Sequence, residues 1–264
     1  MFGQQLSVMR RDILITFSLA VNDFRRRHAG SYFGILWSFV QPMITIAVLW
    51  FVFEMGLRAQ AVKGSPFLIW LVCGLVPWFY FSEALAGATN SLLEYNYLVK
   101  KIVFKVSLLP IVKILSAAFV HFIFLIILLA LITSSPVGLY VSLLQIPYYT
   151  FATTCLITAL AYITVAVTPF FRDLSQVVAI GLQFGMWLTP IMWDSSQLPV
   201  KYQFLVQLNP MRYVVEGYRD AVLGRGWFWD KPNEALYFWL FVLIVGAIGR
   251  LTFQRLRPHF ADVL

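Results

Sequence analysis

Phe122-Ile123-Phe124-Leu125-Ile126-Ile127-Leu128-Leu129 lies within residues 114–171, a stretch that contains no Asp, Glu, Lys or Arg. A chain crosses a lipid bilayer as helices or as a closed barrel, and barrel strands alternate apolar with polar residues. The quoted run shows no such alternation, so it predicts helices. One helix needs about 20 apolar residues to cross the bilayer, which makes this stretch too long for a single crossing. The turn-forming residues Ser134-Ser135-Pro136-Val137-Gly138 divide it into two spans.

The composition of the whole chain agrees with this interpretation. Hydrophobic residues make up 60% of the sequence, charged residues 12%, and the mean hydropathy is +0.78. A soluble globular domain carries roughly 25% charged residues. A disordered chain is excluded as well, because disorder requires low hydrophobicity. The sequence therefore predicts an all-α integral membrane protein, and we treat residues 1–264 as one transmembrane domain.

Charge-poor stretches elsewhere in the chain complete a prediction of six spans. The predicted spanning helices are 31–56, 67–89, 108–132, 143–168, 174–193 and 234–253. Lys and Arg favour the cytoplasmic side of a membrane protein. Arg25-Arg26-Arg27 precede the first span, whereas Arg58 and Lys63 follow it. We therefore expect a multi-pass protein with both termini in the cytoplasm.

The N-terminal segment, residues 1–28, is predicted to be an amphipathic helix at the membrane interface. Its apolar residues recur every three or four positions. They are Leu6, Met9, Ile13, Phe17, Val21 and Phe24. Such a helix could serve as a topology anchor or as an element that docks a partner or a substrate headgroup, and the sequence leaves both open.

Two segments outside the spans are also predicted to contain helices. Residues 91–107 form a cytoplasmic loop whose apolar residues have helical spacing, so it could dock into a partner or lie on the bilayer. Residues 194–233 are too polar to span, and we expect a pair of short re-entrant helices on the extracellular side. Asn209 is the expected N-cap of the second helix, Pro210 its first residue and Gly224 its C-terminal stop.

Two charges inside the predicted spans need partners. Glu83 and Lys113 each lie roughly 8–9 Å from the cytoplasmic end of their helices, at 1.5 Å per residue. An isolated charge in the membrane is costly, so we expect the two side chains to pair. The pair could be structural, or it could be a polar site on a transport path.

Common sequence motifs for nucleotide binding, metal binding and catalysis are missing from the sequence. It contains no G-x-x-x-x-G-K-[ST], H-E-x-x-H, Cys-x-x-Cys or G-x-S-x-G pattern. Cys73 and Cys155 lie far apart in apolar runs, which favours neither a disulfide nor a metal site. We predict no catalytic residue, no metal and no cofactor on this chain. The net charge of +8 is explained by Lys and Arg on the predicted cytoplasmic side of the membrane, so no nucleic-acid partner is expected.

Three motifs resemble the type-2 ABC exporter permeases that move surface polysaccharides. The first is Tyr32-Phe33-Gly34-Ile35-Leu36-Trp37 with Gln41-Pro42. The second, Gly74-Leu75-Val76-Pro77-Trp78-Phe79-Tyr80-Phe81, is most similar to the teichoic-acid permeases, with O-antigen and capsule permeases next. The third is Asn209-Pro210-Met211 with Glu216-Gly217-Tyr218-Arg219. The motifs occur in the family's order and span nearly the whole chain.

The resemblance implies a half-transporter in a bacterial cytoplasmic membrane. Two copies would form a channel among the membrane lipids and bind two separate ABC ATPase subunits, which carry ATP and Mg²⁺. The cargo would be a glycopolymer on an undecaprenyl-diphosphate lipid, with wall teichoic acid as the first choice and O-antigen or capsular polysaccharide as the alternative. A small-molecule exporter, a membrane glycosyltransferase and a passive channel remain as more remote alternatives.

The resemblance also assigns residues to roles. Those coupled to the ATPase would be Glu94, Tyr95, Asn96, Leu98, Lys100, Lys101, Phe104, Arg172 and Asp173. Those that bind the lipid diphosphate would be Arg25, Arg26, Arg27 and His28. The first and fifth spans would form a lateral gate, with channel-wall residues Trp37, Phe39, Phe184 and Trp187.

Overall fold

A computed structural model describes residues 2–27, 32–58, 65–99 and 105–264, with side chains from residue 10 onward. The described residues are almost entirely helical, which confirms the all-α prediction. The helices are α1 Phe2–Arg26, α2 Trp37–Trp50, α3 Phe67–Glu94, α4 Asn96–Val99, α5 Leu108–Thr133, α6 Ile146–Val167, α7 Leu174–Leu188, α8 Val200–Gln207, α9 Pro210–Leu223, α10 Pro232–Leu256 and α11 Phe260–Val263.

Within the described residues, five helical segments are long and apolar enough to cross a membrane. They are Gly34–Gly56, Phe67–Glu94, Leu108–Thr133, Val141–Val167 and Pro232–Val263. The predicted fifth span corresponds to α7, an apolar helix of 15 residues. It ends at Leu188 because Thr189 is extended and Pro190 cannot continue the helix. A sixth crossing therefore stays a prediction.

The centre of the bundle is α3. It packs against α2, α5, α6, α7 and α9. Trp70, Leu71, Cys73 and Leu75 are each at most 2% exposed. A helix that is apolar on every side belongs in the interior of a bundle, which explains why α3 shows no amphipathic pattern.

A second, smaller core closes one end of the bundle, which we call the α1 end. It joins the end of α3 to α4, the start of α5, and the ends of α6 and α10. Its buried residues are Leu92, Tyr95, Val99, Val106, Leu109, Val165, Ala166, Phe253 and Phe260. The predicted cytoplasmic loop is therefore packed onto the bundle, at least over its described part.

The amphipathic N-terminal helix lies along α5. Phe17 and Phe24 both contact the ring of Phe119, with centroids 6.1 and 5.7 Å away. From residue 10 onward, the buried face of α1 is narrow, since it consists of Thr16, Ala20 and Asp23. Much of the apolar stripe therefore remains available to lipid or to a partner.

At the opposite end, α8 and α9 form the predicted pair of short helices. Asn209 caps α9, because its side-chain oxygen accepts a hydrogen bond from the Met211 amide at 2.9 Å. Gly224 ends α9 in the left-handed conformation with φ of 65°, which glycine adopts without strain. Both capping predictions are confirmed. Apart from Arg212 and Glu216, the residues of α9 after Pro210 are buried, so the helix is an internal element.

Candidate functional site

The α1 end contains a cluster of charged side chains from α1, α3 and α5, which we call the charge cluster. Lys113 of α5 lies at its centre and is 4% exposed. Its Nζ lies 2.6 Å from Asp23 Oδ1, and it also pairs with Glu94. The hydroxyl of Tyr95 donates to the same Asp23 oxygen at 2.7 Å. One carboxylate of α1 thus connects the end of α3 to the interior of α5.

Arg27 extends the charge cluster to Glu83. Its guanidinium pairs with Glu83 and lies 3.5 Å from Asp23 Oδ2. Gly87 lies beside both cations, since a Cβ at that position would be in ordinary van der Waals contact, 3.5 Å from Arg27 and 3.7 Å from Lys113. The predicted Glu83–Lys113 pair is therefore wrong. Each of the two residues finds its partner elsewhere, because α1 packs on α5 and offers both a carboxylate and a guanidinium.

The protonation states in the charge cluster follow from this geometry. Burial alone would raise the pKa of Asp23, but the hydrogen bonds from Lys113 and Tyr95 and the Lys113 charge hold it below the ordinary 3.8. Burial and the neighbouring Asp23 raise the pKa of Tyr95, so its hydroxyl remains a donor at neutral pH. The stability from Asp23 is present above its ordinary pKa and is lost as the pH falls through the lower folded value.

Replacing Lys113 by Met should destabilise the protein by about 2 kcal/mol, because it leaves Asp23 buried without its main charge partner. The Asp23→Asn change should cost less in the Lys113→Met background than alone. Thermal unfolding in detergent would measure the cycle. Lys105→Met is the matched control, since its pair with Asp12 is half exposed and should contribute at most about 1 kcal/mol. Additive losses at Asp23 and Lys113 would show that they are not coupled.

A cavity of about 460 Å³ lies beside the charge cluster, between α2, α3 and α7, and we call it the lateral cavity. Arg27 and Glu83 line it together with the amide and hydroxyl groups of Gln41, Thr45 and Ser82. Its remaining lining is mainly apolar and includes Trp37, Pro42, Phe79, Ala179 and Leu182. The cavity therefore combines hydrogen-bonding groups with aromatic faces.

The predicted gate residues divide between different surroundings. Trp37 lines the lateral cavity, whereas Phe39 turns towards the core and contacts Phe124 with centroids 5.9 Å apart. Phe184 and Trp187 are 63% and 56% exposed on α7. Residues of α2 and α7 line this cavity, and of the four predicted gate residues only Trp37 is among them.

The predicted headgroup residues also divide. Arg27 is held in the charge cluster, whereas Arg25 and Arg26 are exposed and have no ion-pair partner among the described residues. His28 lies outside the described residues. The two exposed arginines are the ones whose geometry leaves them available to an anion.

The described coupling residues occupy the α1 end. Glu94 and Tyr95 belong to the charge cluster, Asn96 and Leu98 lie on α4, and Lys100, Lys101 and Phe104 lie outside the described residues. Arg172 and Asp173 are exposed just before α7. The Ser175 hydroxyl donates to Asn90 at 2.6 Å, which ties the start of α7 to the last turns of α3. Both predicted contact regions therefore lie at one end of the bundle.

The opposite end is fixed by Arg219 of α9, which is fully buried. Its guanidinium donates to the carbonyls of Pro190 and Ile191 at 2.7 and 2.8 Å and pairs with Glu216 at 2.8 Å. It also stacks on the Trp70 ring at 3.5 Å. The sequence motif that contains Arg219 carries no predicted role for it, although an arginine in a half-apolar helix indicates a buried ion pair. In residues 10–27, 32–58, 65–99 and 105–264, we find no group of three metal-ligating side chains.

Comparison with known proteins adds two findings. The sequence profile of the family described as ABC-2 type transporter matches residues 16–223. An O-antigen export system permease protein RfbA of Klebsiella pneumoniae is 26% identical over 255 residues, which cover 96% of this chain and 95% of the relative. The protein of the same name from Myxococcus xanthus is 27% identical over 256 residues, with the same coverage.

Proposed function

Since this chain belongs to the ABC-2 type transporter family, we propose that it is the permease subunit that exports a lipid-linked O-antigen polysaccharide. The choice of cargo rests on the end-to-end similarity to RfbA proteins, which are named for O-antigen export. The second motif, Gly74–Phe81, favoured wall teichoic acid, and the relatives support the alternative instead. Both cargoes are polar chains on a lipid diphosphate, so the same physical path would serve either.

The lateral cavity supports a path for such a chain. Sugar hydroxyls need hydrogen-bonding partners, which Gln41, Thr45 and Ser82 supply, and sugar C–H groups stack on aromatic faces such as Trp37 and Phe79. The exposed Arg25 and Arg26 can hold a diphosphate by charge-assisted hydrogen bonds. In this proposal the headgroup binds at the α1 end while the polymer enters between α2 and α7.

The energy comes from a separate ABC ATPase that binds ATP and Mg²⁺, in a complex of two permease and two ATPase subunits. We place the ATPase at the α1 end, against α4 and the Arg172–Asp173 turn. A displacement of α4 would then reach α1 through the Tyr95–Asp23 hydrogen bond and reach the lateral cavity through Arg27. The proposed membrane is the bacterial cytoplasmic membrane, with both termini on its inner side.

Deletion of the gene in its own bacterium tests this function. We expect surface O-antigen to disappear and undecaprenyl-linked polymer to accumulate inside the cell, with both effects reversed by the intact chain. The chain should also co-purify with an ABC ATPase in equal amounts. If teichoic acid disappeared from the cell surface instead of O-antigen, teichoic acid would be the cargo and the O-antigen assignment would be wrong. Unchanged surface polymers together with no bound ATPase would overturn the proposal.

A bulky residue in the lateral cavity should block export without disturbing the fold. Ala179 of α7 lines this cavity and is exposed, so Ala179→Phe adds a ring to the path. We expect a several-fold drop in surface polymer, measured against equal amounts of permease and of bound ATPase. The control is Ile180→Phe, because Ile180 is 44% exposed on the same helix but does not line the cavity. Equal export by the two variants would argue against the lateral path.

A further inference from the structure

A second cavity, of about 570 Å³, lies between α6 and α10 near the α1 end, and we call it the α6–α10 groove. It is formed by other helices than the lateral cavity. One part is lined by Ala159 and Gly246 with Thr154 and Thr158, whose hydroxyls donate to carbonyls of their own helix, and the other by Arg250, Gln254 and Arg257. The groove therefore has an apolar part that leads to a basic part.

Small residues create the apolar part. A Cβ on Gly249 would lie 2.8 Å from the Ala159 carbonyl oxygen, and a Cβ on Gly246 would lie 3.7 Å from the Ala159 Cβ. The two helices thus touch along this line, as small residues allow in membranes. The larger side chains of Tyr162, Val242 and Phe253 also line the groove. From Val242 to Arg250, the α10 side of the groove runs for roughly 12 Å at 1.5 Å per residue.

Among the residues that the structure describes, the basic part has no counter-charge. No Asp or Glu lines the groove, and the exposed Arg250 and Arg257 have no ion pair in the part of the chain that the structure describes. The Tyr162 hydroxyl, which also lines the groove, already donates to the Ser107 carbonyl at 2.9 Å. The two guanidiniums are therefore the charged donors left for a ligand, and guanidinium matches the geometry of phosphate.

We propose that the α6–α10 groove binds an anionic phospholipid of the surrounding bilayer. Its phosphate lies between Arg250 and Arg257, and one acyl chain follows the Ala159–Gly246 line. Charge complementarity selects this occupant, because a lipid phosphate supplies the negative charge that the two arginines lack among the described residues. The predicted topology places the groove at the cytoplasmic leaflet, where basic residues meet anionic lipids. This site does not depend on the nature of the exported cargo.

Native mass spectrometry of the full-length protein, titrated with dioleoylphosphatidylglycerol, tests the site. Arg250→Gln/Arg257→Gln should weaken lipid retention roughly 30-fold, on the basis of the usual contribution of each basic residue near a membrane surface. Arg255→Gln is the matched control, because Arg255 is exposed on the same helix but does not line the groove. Equal weakening per arginine removed in the control would reduce the effect to general surface charge and overturn the proposal.

Gly246→Leu separates the acyl part from the charged part. A leucine side chain would fill the groove and keep both arginines, so lipid retention should fall although the charge is unchanged. Inorganic phosphate added at the lipid's concentration should not compete. Effective competition by phosphate, or full retention in Gly246→Leu, would contradict a phospholipid site.

Cys155 gives a readout in the unmodified protein. It lines the groove and is partly exposed, whereas Cys73 is fully buried. Phosphatidylglycerol should slow maleimide labelling of Cys155, and phosphatidylcholine should not. If Cys155 resisted maleimide labelling without lipid and cross-linked between two copies of the chain, the groove would be a protein interface and the lipid proposal would be rejected. This measurement also holds if the arginine variants fail to fold.

Discussion

Replacing Arg219 by Met should leave little folded permease and abolish export. The guanidinium joins three parts of the bundle, because it contacts α9 through Glu216, α3 through Trp70, and the turn after α7 through Pro190 and Ile191. Methionine fills much of the same volume but donates no hydrogen bond. The change therefore leaves two buried carbonyls and the partly buried Glu216 unpaired. Removing one partner of a buried pair costs roughly 3–5 kcal/mol, a large share of the stability of a domain.

The control for this prediction lies two turns earlier on the same helix. Arg212 pairs with Glu234 at 3.3 Å, and both side chains remain partly exposed. A pair of this kind contributes about 1 kcal/mol or less, so Arg212→Met should fold. Arg219→Lys should be intermediate, because an ammonium keeps the charge but cannot reach three acceptors in a plane. The measurements are detergent-resistant yield, thermal unfolding and surface polymer. Equal yields of Arg219→Met and Arg212→Met would show that Arg219 does not fix α9.

The helices could be predicted from the sequence because their signals are local. Charge-free stretches gave the long helices, and the capping residues Asn209 and Gly224 gave the ends of α9. The predicted fifth span, 174–193, is longer than α7, since the apolar character continues to Trp193 while Pro190 stops the helix earlier. An apolar composition indicates that a segment can lie in a membrane or a protein core, but a residue such as proline decides where the helix ends.

The partners of the buried charges could not be predicted in the same way. Neighbouring spans suggest a pair between Glu83 and Lys113, whereas the partners in the structure, Arg27 and Asp23, come from the N-terminal segment. The spacing of apolar residues shows that α1 is amphipathic, but it does not show whether α1 lies on lipid or on α5. That placement depends on aromatic contacts with Phe119. Tertiary placement of one helix thus redirected both ion pairs, and it brought Arg27 to the lateral cavity.

A methyl group at Gly217 should have an effect as large as the loss of Arg219. A Cβ at this position of α9 would overlap the ring of Tyr149 on α6, closer than carbon atoms can approach. Tyr149 is 3% exposed and packed against Tyr148 and Tyr213, so its ring has no free space to enter. Gly217→Ala should therefore destabilise the protein by about 3 kcal/mol or more through overpacking, although alanine favours helix.

The overlap also predicts a rescue, which a merely weakened helix would not show. Tyr149→Leu removes Cε1 and Cζ, the two ring atoms that a methyl group would meet most closely, and alone it should destabilise by creating a cavity. In the Gly217→Ala background the same change should stabilise, so its effect on thermal unfolding reverses sign. Gly246→Ala is the control, since its nearest contact would be an ordinary 3.7 Å and the substitution should be neutral or favourable. If Tyr149→Leu destabilises both backgrounds equally, α6 and α9 are not in contact at this point, and the close packing that seals the α9 end is wrong.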